Sequence, residues 1–290
     1  MELSVIIVSF NVCDFLRQCL SSAEVELRNI DSEIFVVDNN SEDASVEMIK
    51  NEFPKVKLII NNVNSGFASA NNQAIKQSAG RFVLLLNPDT IVEKDTFSKC
   101  IVFMNMHPDA GALGIRMING DGRFLPESKR ALPTPLTAFF KSFGFSFLFP
   151  ESRILNRYYL PQVDSLETSL TEVISGAFMF IRRDALNISG FLDEDFFMYG
   201  EDIDMSYRLL QTGYKNYYVP EIQIVHFKGK STSRNSFKDI SHFYKAMRIY
   251  VRKRKTVRIY RSFRLLIIPA IYLREGLALG NRILRLTFRR

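Results

Sequence analysis

The chain has 290 residues, 47% hydrophobic and 24% charged, a composition that excludes disordered and fibrous classes and suits one large domain or a domain plus an appendage. Its net charge of +7 is uneven: residues 245–290 hold fourteen of the 38 Lys and Arg residues and one of the 31 acids, a net +13, which leaves −6 on the first 244. Three cysteines, with Cys13 and Cys19 on one predicted helix, fit reduced thiols and a cytoplasmic setting rather than a disulfide framework.

The opening MELSVIIVSFN lacks a basic segment before its apolar run, so it reads as a buried strand and not a signal peptide; no export is expected. LSVIIVSF is apolar on both alternations, as a strand covered on both faces must be, and Asn11 and Asp14 then start a helix through FLRQCL. The same strand-then-helix unit recurs as EIFVVD before SEDASVEMIKNEF, VKLIIN before ASANNQAIKQSAG, and RFVLLLN before EKDTFSKCIVFMNMH. Four such units predict an α/β fold with a doubly wound, mostly parallel sheet. The glycine fingerprint of a dinucleotide-binding turn does not follow the first strand.

In such a sheet a ligand lies beyond the carboxyl ends of the strands. All four predicted ends are polar: Ser9 and Asn11; Asp38, Asn39 and Asn40; Asn61 to Gly66; Asn87 and Asp89. For Asn39, Asn40 and Asn62 turn chemistry is a sufficient explanation. Asp38 either accepts hydrogen bonds from a nucleotide or serves a following helix N-terminus. Asp89, in LLLNPDTIV, either belongs to an ordinary turn or is paired with a cation such as Mg²⁺ or Mn²⁺, which needs few carboxylates when a substrate phosphate completes its shell.

Residues 131–170 break the alternation with prolines and aromatics; packing on the sheet, an acceptor-side flap and a membrane-facing surface all fit them. ISGAFMFI reads as a strand in which Gly176 permits either a bulge or close approach of substrate. Glu201, Asp202 and Asp204 then fall within four positions. A helix starting near Gly200 would put Met205, Leu209 and Leu210 on an apolar face and pair Asp204 with Arg208, making the first two acids ordinary first-turn residues. In the basic tail, LLIIPAIYL is too short and too interrupted to span a bilayer, but together with the flanking arginines it suits an amphipathic surface helix.

Taken in order, SVIIVSFN, VVDNNSEDAS, NSGFASANNQAI, LLLNPDTIV, SGAFMFIRRDAL, GFLDEDFFMYGEDIDMSYRLLQTGY and VHFKGKST resemble family 2 glycosyltransferases of GT-A fold, most closely the rhamnosyltransferase-like subgroup, over residues 1 to about 233. The resemblance implies a GT-A catalytic domain over 1–244, with a donor half to about 118 and an acceptor half from about 119, followed by a basic α-helical extension over 245–290. It implies that Asp38 binds the base and ribose of a nucleotide-sugar, aided by Ser9, Asn11, Asn40, Asp43, Gly66 and Asn71. Asp89 matches the last acid of the metal-binding D-x-D motif, whose first position is here Asn87, counted with the nucleotide-sugar-binding residues, a departure that weighs against bidentate carboxylate ligation and strict metal dependence; His226 would be a further ligand to Mg²⁺ or Mn²⁺. Asp202 would be the base that takes the acceptor proton, Glu201 would shape the acceptor pocket or share that proton, and Gly176 and Tyr199 would line the acceptor side.

The expected reaction moves a sugar, for this subgroup L-rhamnose from dTDP-rhamnose, with inversion onto a saccharide or lipid-linked acceptor of bacterial surface polysaccharide. The expected setting is the cytoplasmic side of an anionic membrane, without nucleic acid. Two rivals share some features. A nucleotidyltransferase should carry a glycine-rich basic loop where this chain has SFNVCDFL. A nucleic-acid binder would use the tail but gives no reason for acids at the strand ends.

Overall fold

The structure, a computed structural model, describes residues 1–134, 157–160, 165–229, 236–254 and 258–287. The aromatic stretch at 135–156 and most of KGKST lie outside the described residues, as does the join between the two tail helices at 255–257.

The predicted βα units form. Strands β1 (Leu3–Ser9), β2 (Ser32–Asp38), β3 (Lys57–Ile60) and β4 (Phe82–Leu86) alternate with helices α1 (Cys13–Leu27), α2 (Ser45–Glu52) and α3 (Phe67–Gln77). Their pairings are all parallel, in the order β3-β2-β1-β4. After β4 come β5 (Thr90–Val92), α4 (Thr96–Met106), β6 (Ala110–Ile118), β7 (Ser169–Leu170), β8 (Phe178–Arg182), α5 (Arg183–Ser189), α6 (Glu201–Gln211) and β9 (Lys215–His226). The sheet continues from β4 through β8, β6 and β9 to β5, with β7 also on β9. This second half is mixed: β6 and β9 are parallel, while β4–β8, β6–β8, β5–β9 and β7–β9 are antiparallel. The parallel expectation therefore holds for the first half, and the sheet as a whole is α/β with mixed strand directions.

Burial on both faces explains why the strands do not alternate with polar residues. Leu3, Val5 and Ile7 of β1 join a core with Leu16 and Leu20 of α1, Met48 of α2 and Phe97 of α4. Ile6 and Val8 of the same strand join a second core with Ala70 and Ala74 of α3, Leu186 of α5, and Met205 and Leu209 of α6. The sheet is thus covered by helices on both sides, and its polar strand ends are left at one edge.

The tail begins earlier than its charge suggests. Helix α7 (Phe237–Lys253) is capped by Ser236, whose Oγ accepts from the Asp239 amide at 3.0 Å, so the division expected at 244 falls inside this helix. Ala246, Tyr250 and Val251 of α7 pack with Phe196 and with Ile271 of α8 (Arg258–Thr287), and Tyr199 and Ile203 lie against the same cluster. Arg248 of α7 pairs with Glu275 of α8 and stacks 4.3 Å from the Tyr272 ring. Leu265, Leu266, Leu273, Leu277 and Leu284 of α8 point to solvent. Among the described residues no helix is long and apolar enough to cross a membrane.

Candidate active site

At the donor edge, the parallel register sets Ser9 opposite Asp38 at the ends of β1 and β2. Both are buried. Asp38 Oδ2 accepts from the Ser41 amide at 2.9 Å, whereas Asp38 Oδ1 and Ser9 Oγ have no hydrogen-bond partner among the described residues. A buried oxygen without a partner is costly, and N–H or O–H groups of a ligand would satisfy these two.

The other donor-side residues build the frame around this pair. Asn11 and Asn40 take left-handed backbone angles, which Asn tolerates. The Asn11 amide donates to Ser41 Oγ and its side-chain oxygen accepts from the Glu42 amide, while Asp43 accepts from the amides of Cys13 and Ser45. Burial alone would raise the Asp43 carboxyl, but these hydrogen bonds outweigh it and hold it below the usual range. Asn39 does more than make a turn. Its Oδ1 accepts from Asn61, the Ser65 amide and Ser65 Oγ, and its Nδ2 donates to Asn64 Oδ1 and Gly66 O, so one buried amide fixes the β3–α3 loop.

Gly66 caps α3 with φ +84°, and a Cβ there would stand 2.5 Å from the Phe197 carbonyl oxygen. The close backbone approach that requires glycine is therefore to Phe197, whose oxygen also accepts from the Phe67 amide at 2.7 Å. Asn71 donates to Phe67 O within its own helix, which gives it a local role.

Pairing of β5 with β9 sets Thr90 opposite His226 and so brings Asp89 beside it, Oδ1 to Nε2 3.3 Å, both side chains buried. Lys228, two residues on, pairs with Glu127. Burial would raise the Glu127 carboxyl, but the Lys228 ammonium overrides this and holds it low. Asn87 is only partly buried; its amide donates to Ala177 O and its carbonyl accepts from Thr90 Oγ1. No group of three or more His, Cys, Asp and Glu side chains placed to hold a metal exists among the described residues. One carboxylate and one imidazole nonetheless fit a divalent cation that takes its remaining ligands from a substrate diphosphate, and the nitrogen ligand suits Mn²⁺ better than Mg²⁺.

On the acceptor side, Tyr199 and Gly200 both take positive φ and turn the chain into α6. The expected Asp204–Arg208 pair forms at 2.7 Å, and Met205 and Leu209 are buried as the spacing requires. Asp202 is not a bare first-turn acid. Its Oδ2 accepts from Arg130 Nη2 at 2.5 Å and from the Gly176 amide at 3.2 Å, and its Oδ1 accepts from the Ile203 amide. Gly176 thus contacts the proposed base through its N–H; a Cβ there would meet Asp202 Cβ at an ordinary 3.5 Å.

Glu201 is buried with Oε2 unpartnered. Desolvation first, then the neighbouring Asp202 charge, pushes its carboxyl up to about 8. Phe196 is core, Phe197 stacks on His242 of α7 at 4.4 Å, and Tyr199 meets Phe243 edge-on, so these aromatics join the acid turn to α7.

Contacts join the pieces. Asn87 bonds to Ala177, Gly176 bonds to Asp202, Phe67 bonds to Phe197, and Asn39 bonds to Gly66, so the ends of β2 and β4, the start of α3, the turn before β8 and the start of α6 converge. Sequence reasoning missed Arg130, Asn39 as a frame residue, and the Glu127–Lys228 pair; only Asn39, at a strand end, carried a local signal.

Residues 4–189 match the family model described as Glycosyl transferase family 2. The chain is 28% identical over 265 residues to an N-acetylglucosaminyl-diphospho-decaprenol L-rhamnosyltransferase of Mycobacterium tuberculosis, covering 87% of this chain and 84% of that one. It is 26% identical to the rhamnosyltransferase WbbL of Escherichia coli, covering 77% and 82%. Among solved structures, Staphylococcus aureus TarS superposes with a TM-score of 0.60 at 20% identity, over 94% of this chain but 43% of TarS. The mannosyltransferase PcManGT of Pyrobaculum calidifontis, in complex with GDP-Man and Mn²⁺, gives 0.59 at 16% identity over 97% and 74%. These two establish the GT-A-type fold.

The Glu201 carboxyl gives a prediction about stability. Folded, it holds its proton to about pH 8; unfolded, it releases it near 4.5, so between these values the folded state binds more protons and stability falls as pH rises. Glu201→Gln removes that slope. Its melting temperature should rise relative to the wild type on going from pH 5 to pH 8; a difference independent of pH would show that Glu201 is not held protonated.

Proposed function

The chain belongs to glycosyl transferase family 2, and from that membership we propose an inverting transferase that moves L-rhamnose from dTDP-rhamnose to a lipid-linked saccharide in bacterial surface polysaccharide synthesis. The observation that carries the reading is the convergence just described: an unsatisfied carboxylate oxygen for a nucleoside, a carboxylate–imidazole pair for a cation, and a separate oriented carboxylate on one sheet edge. The rhamnosyl donor and the lipid-linked acceptor rest on what the mycobacterial relative's name says of that protein, and on rhamnosyl transfer by the relative from Escherichia coli.

In this reading Asp38 and Ser9 bind the nucleoside, and the frame of Asn11, Asn39, Asn40, Asp43 and Gly66 holds the loops around it. Asp89 and His226 hold Mn²⁺ or Mg²⁺, which when bound neutralises the diphosphate charge. Asp202 removes the proton from the acceptor hydroxyl. The acceptor oxygen forms its bond to the anomeric carbon as the bond to the diphosphate oxygen breaks, and the electron pair leaves with the nucleoside diphosphate on the opposite face, so configuration inverts. Glu201, held neutral, donates a hydrogen bond on the acceptor side. A second carboxylate at the scissile bond, as a glycosidase needs, is unnecessary.

Exposed leucines on α8, with Arg282 and Arg285 on the same helix, supply the apolar and cationic surface of an interfacial helix, and they support a reading in which the enzyme sits on the cytoplasmic face of an anionic membrane beside its acceptor.

Asp202→Asn should lower turnover by about 100-fold or more while donor binding stays near normal, the signature of a lost base; near-normal turnover would exclude the assignment. Asp89→Ala should abolish any stimulation by Mn²⁺ and weaken dTDP-rhamnose binding, while thymidine binding survives; a wild type indifferent to EDTA would remove the cation from the reading. Leu266→Glu combined with Leu273→Glu should release the protein from vesicles containing phosphatidylglycerol and leave donor hydrolysis unchanged. A wild type that ignores such vesicles at low salt would refute the membrane placement.

A further inference from the structure

The Asp202 carboxylate is held from outside its own helix by a residue far away in the chain. Arg130 lies where residues 129–131 meet residues 158–160: the Ala131 amide donates to Tyr158 O, and Lys129 Nζ donates to Leu160 O at 2.9 Å. Its backbone bridges Val173. Its guanidinium is buried and divided among three acceptors: Nη1 donates to Tyr158 Oη at 3.1 Å, while Nη2 donates to Ile174 O at 3.4 Å and to Asp202 Oδ2 at 2.5 Å. Asp202 thus receives one charge-assisted bond from a guanidinium whose other arm is fixed by Tyr158, so the direction of that bond is set from outside α6.

Two adjacent carboxyls in one buried turn cannot both ionise cheaply. Among the described residues, the ionisable groups facing Asp202 are Arg130 and Tyr158 from the 129–131 and 158–160 segments and Glu201 on its own helix; the Gly176 turn brings only an amide. Asp204, further along α6, is occupied by Arg208 and Arg254. Among the described residues Arg130 is therefore the cation that meets this pair of carboxyls.

We propose that Arg130 is a positioning residue for the transfer: its Nη2 holds Asp202 Oδ2 while its Nη1 is tied to Tyr158, and this directs the Oδ1 edge of the carboxylate toward the acceptor hydroxyl. The inference rests on the reading of Asp202 as the base. Tyr158 acts one step further out by fixing the other arm of the fork. The pair is largely excluded from water, so its attraction is only weakly screened. Asp202 gains a fixed orientation, and burial leaves the neighbouring Glu201 holding its proton.

The test is the pH profile of dTDP release from dTDP-rhamnose. In Arg130→Met the acid-side limb should move up by about 1 to 3 pH units, the effect of losing an adjacent opposite charge. Arg130→Lys keeps the charge without the fork, so its limb should stay near the wild-type position while kcat falls. A lowered rate in Arg130→Met with the limb unmoved would reduce Arg130 to a structural residue and overturn the proposal. If Arg130→Met does not fold, adding Asp202→Asn should restore folding by removing the stranded charge, and failure to restore it overturns the proposal equally. Should the wild type release no dTDP, the functional reading fails separately. The pair is then tested by melting temperature, in which Arg130→Met and Asp202→Asn should be coupled at pH 8 and uncoupled at pH 3; no coupling at pH 8 refutes it.

Discussion

Three carboxyl groups begin α6 within four residues, all in a poorly hydrated turn, and burial forbids them from carrying three unpaired charges. Each is resolved differently. Glu201 keeps its proton, Asp202 is paired with Arg130, and Asp204 is shared between Arg208 on its own helix and Arg254 beyond α7. Helix-start electrostatics helps all three but satisfies none of them fully. The turn is therefore stable only when distant parts of the chain deliver cations to it, and much of the acceptor half is arranged to do so.

That requirement explains two long excursions. Arg130 and Tyr158 tie the two ends of the stretch between them to the acid turn, so the chain returns to where it left. Arg254 lies 3.5 Å over the Tyr207 ring and bonds Asp204, while Lys253 pairs with Asp193 and Asp195, so the last turn of α7 grips both sides of residues 193–207. The loops after β1, β2 and β3 are built on another principle. They are laced mainly by neutral amides and hydroxyls, with Asn39 at the centre, and among the described residues Asp38 keeps one oxygen without a hydrogen-bond partner. Charge pairs hold Asp202 and Asp204 in one orientation; neutral lacing holds these loops without adding charge to them.

The first half was legible because its signals are local. Continuous apolar strands, cap residues and polar strand ends follow one another at short range, and the Asp204–Arg208 pair is a spacing on one helix. The mixed half was not, because β6 and β9 acquire their partners through contacts far apart in sequence, and antiparallel insertion of β8 beside β4 follows from no local pattern. Arg130 was invisible for the same reason: SKRALP offers an ordinary basic residue, and 72 positions separate it from Asp202. Gly66 carries the opposite lesson. The need for glycine was readable, but the group that approaches it, the Phe197 backbone, belongs to the turn before α6.

The tail shows how one composition signal divides into two physical roles. Sequence alone pointed to a membrane surface, as though the 14 cations of residues 245–290 acted together. In the structure, Arg248, Lys253 and Arg254 of the α7 region neutralise Glu275, Asp193, Asp195 and Asp204, and α7 buries Ala246, Tyr250 and Val251 beneath them. Helix α8 contributes Ile271 to that cluster and presents its leucines outward. The cover and the exposed face are consecutive helices joined by the Arg248–Glu275 pair. Helix α8 is thereby linked through α7 to Phe197 and Tyr199, at the entrance to the turn that holds Glu201 and Asp202.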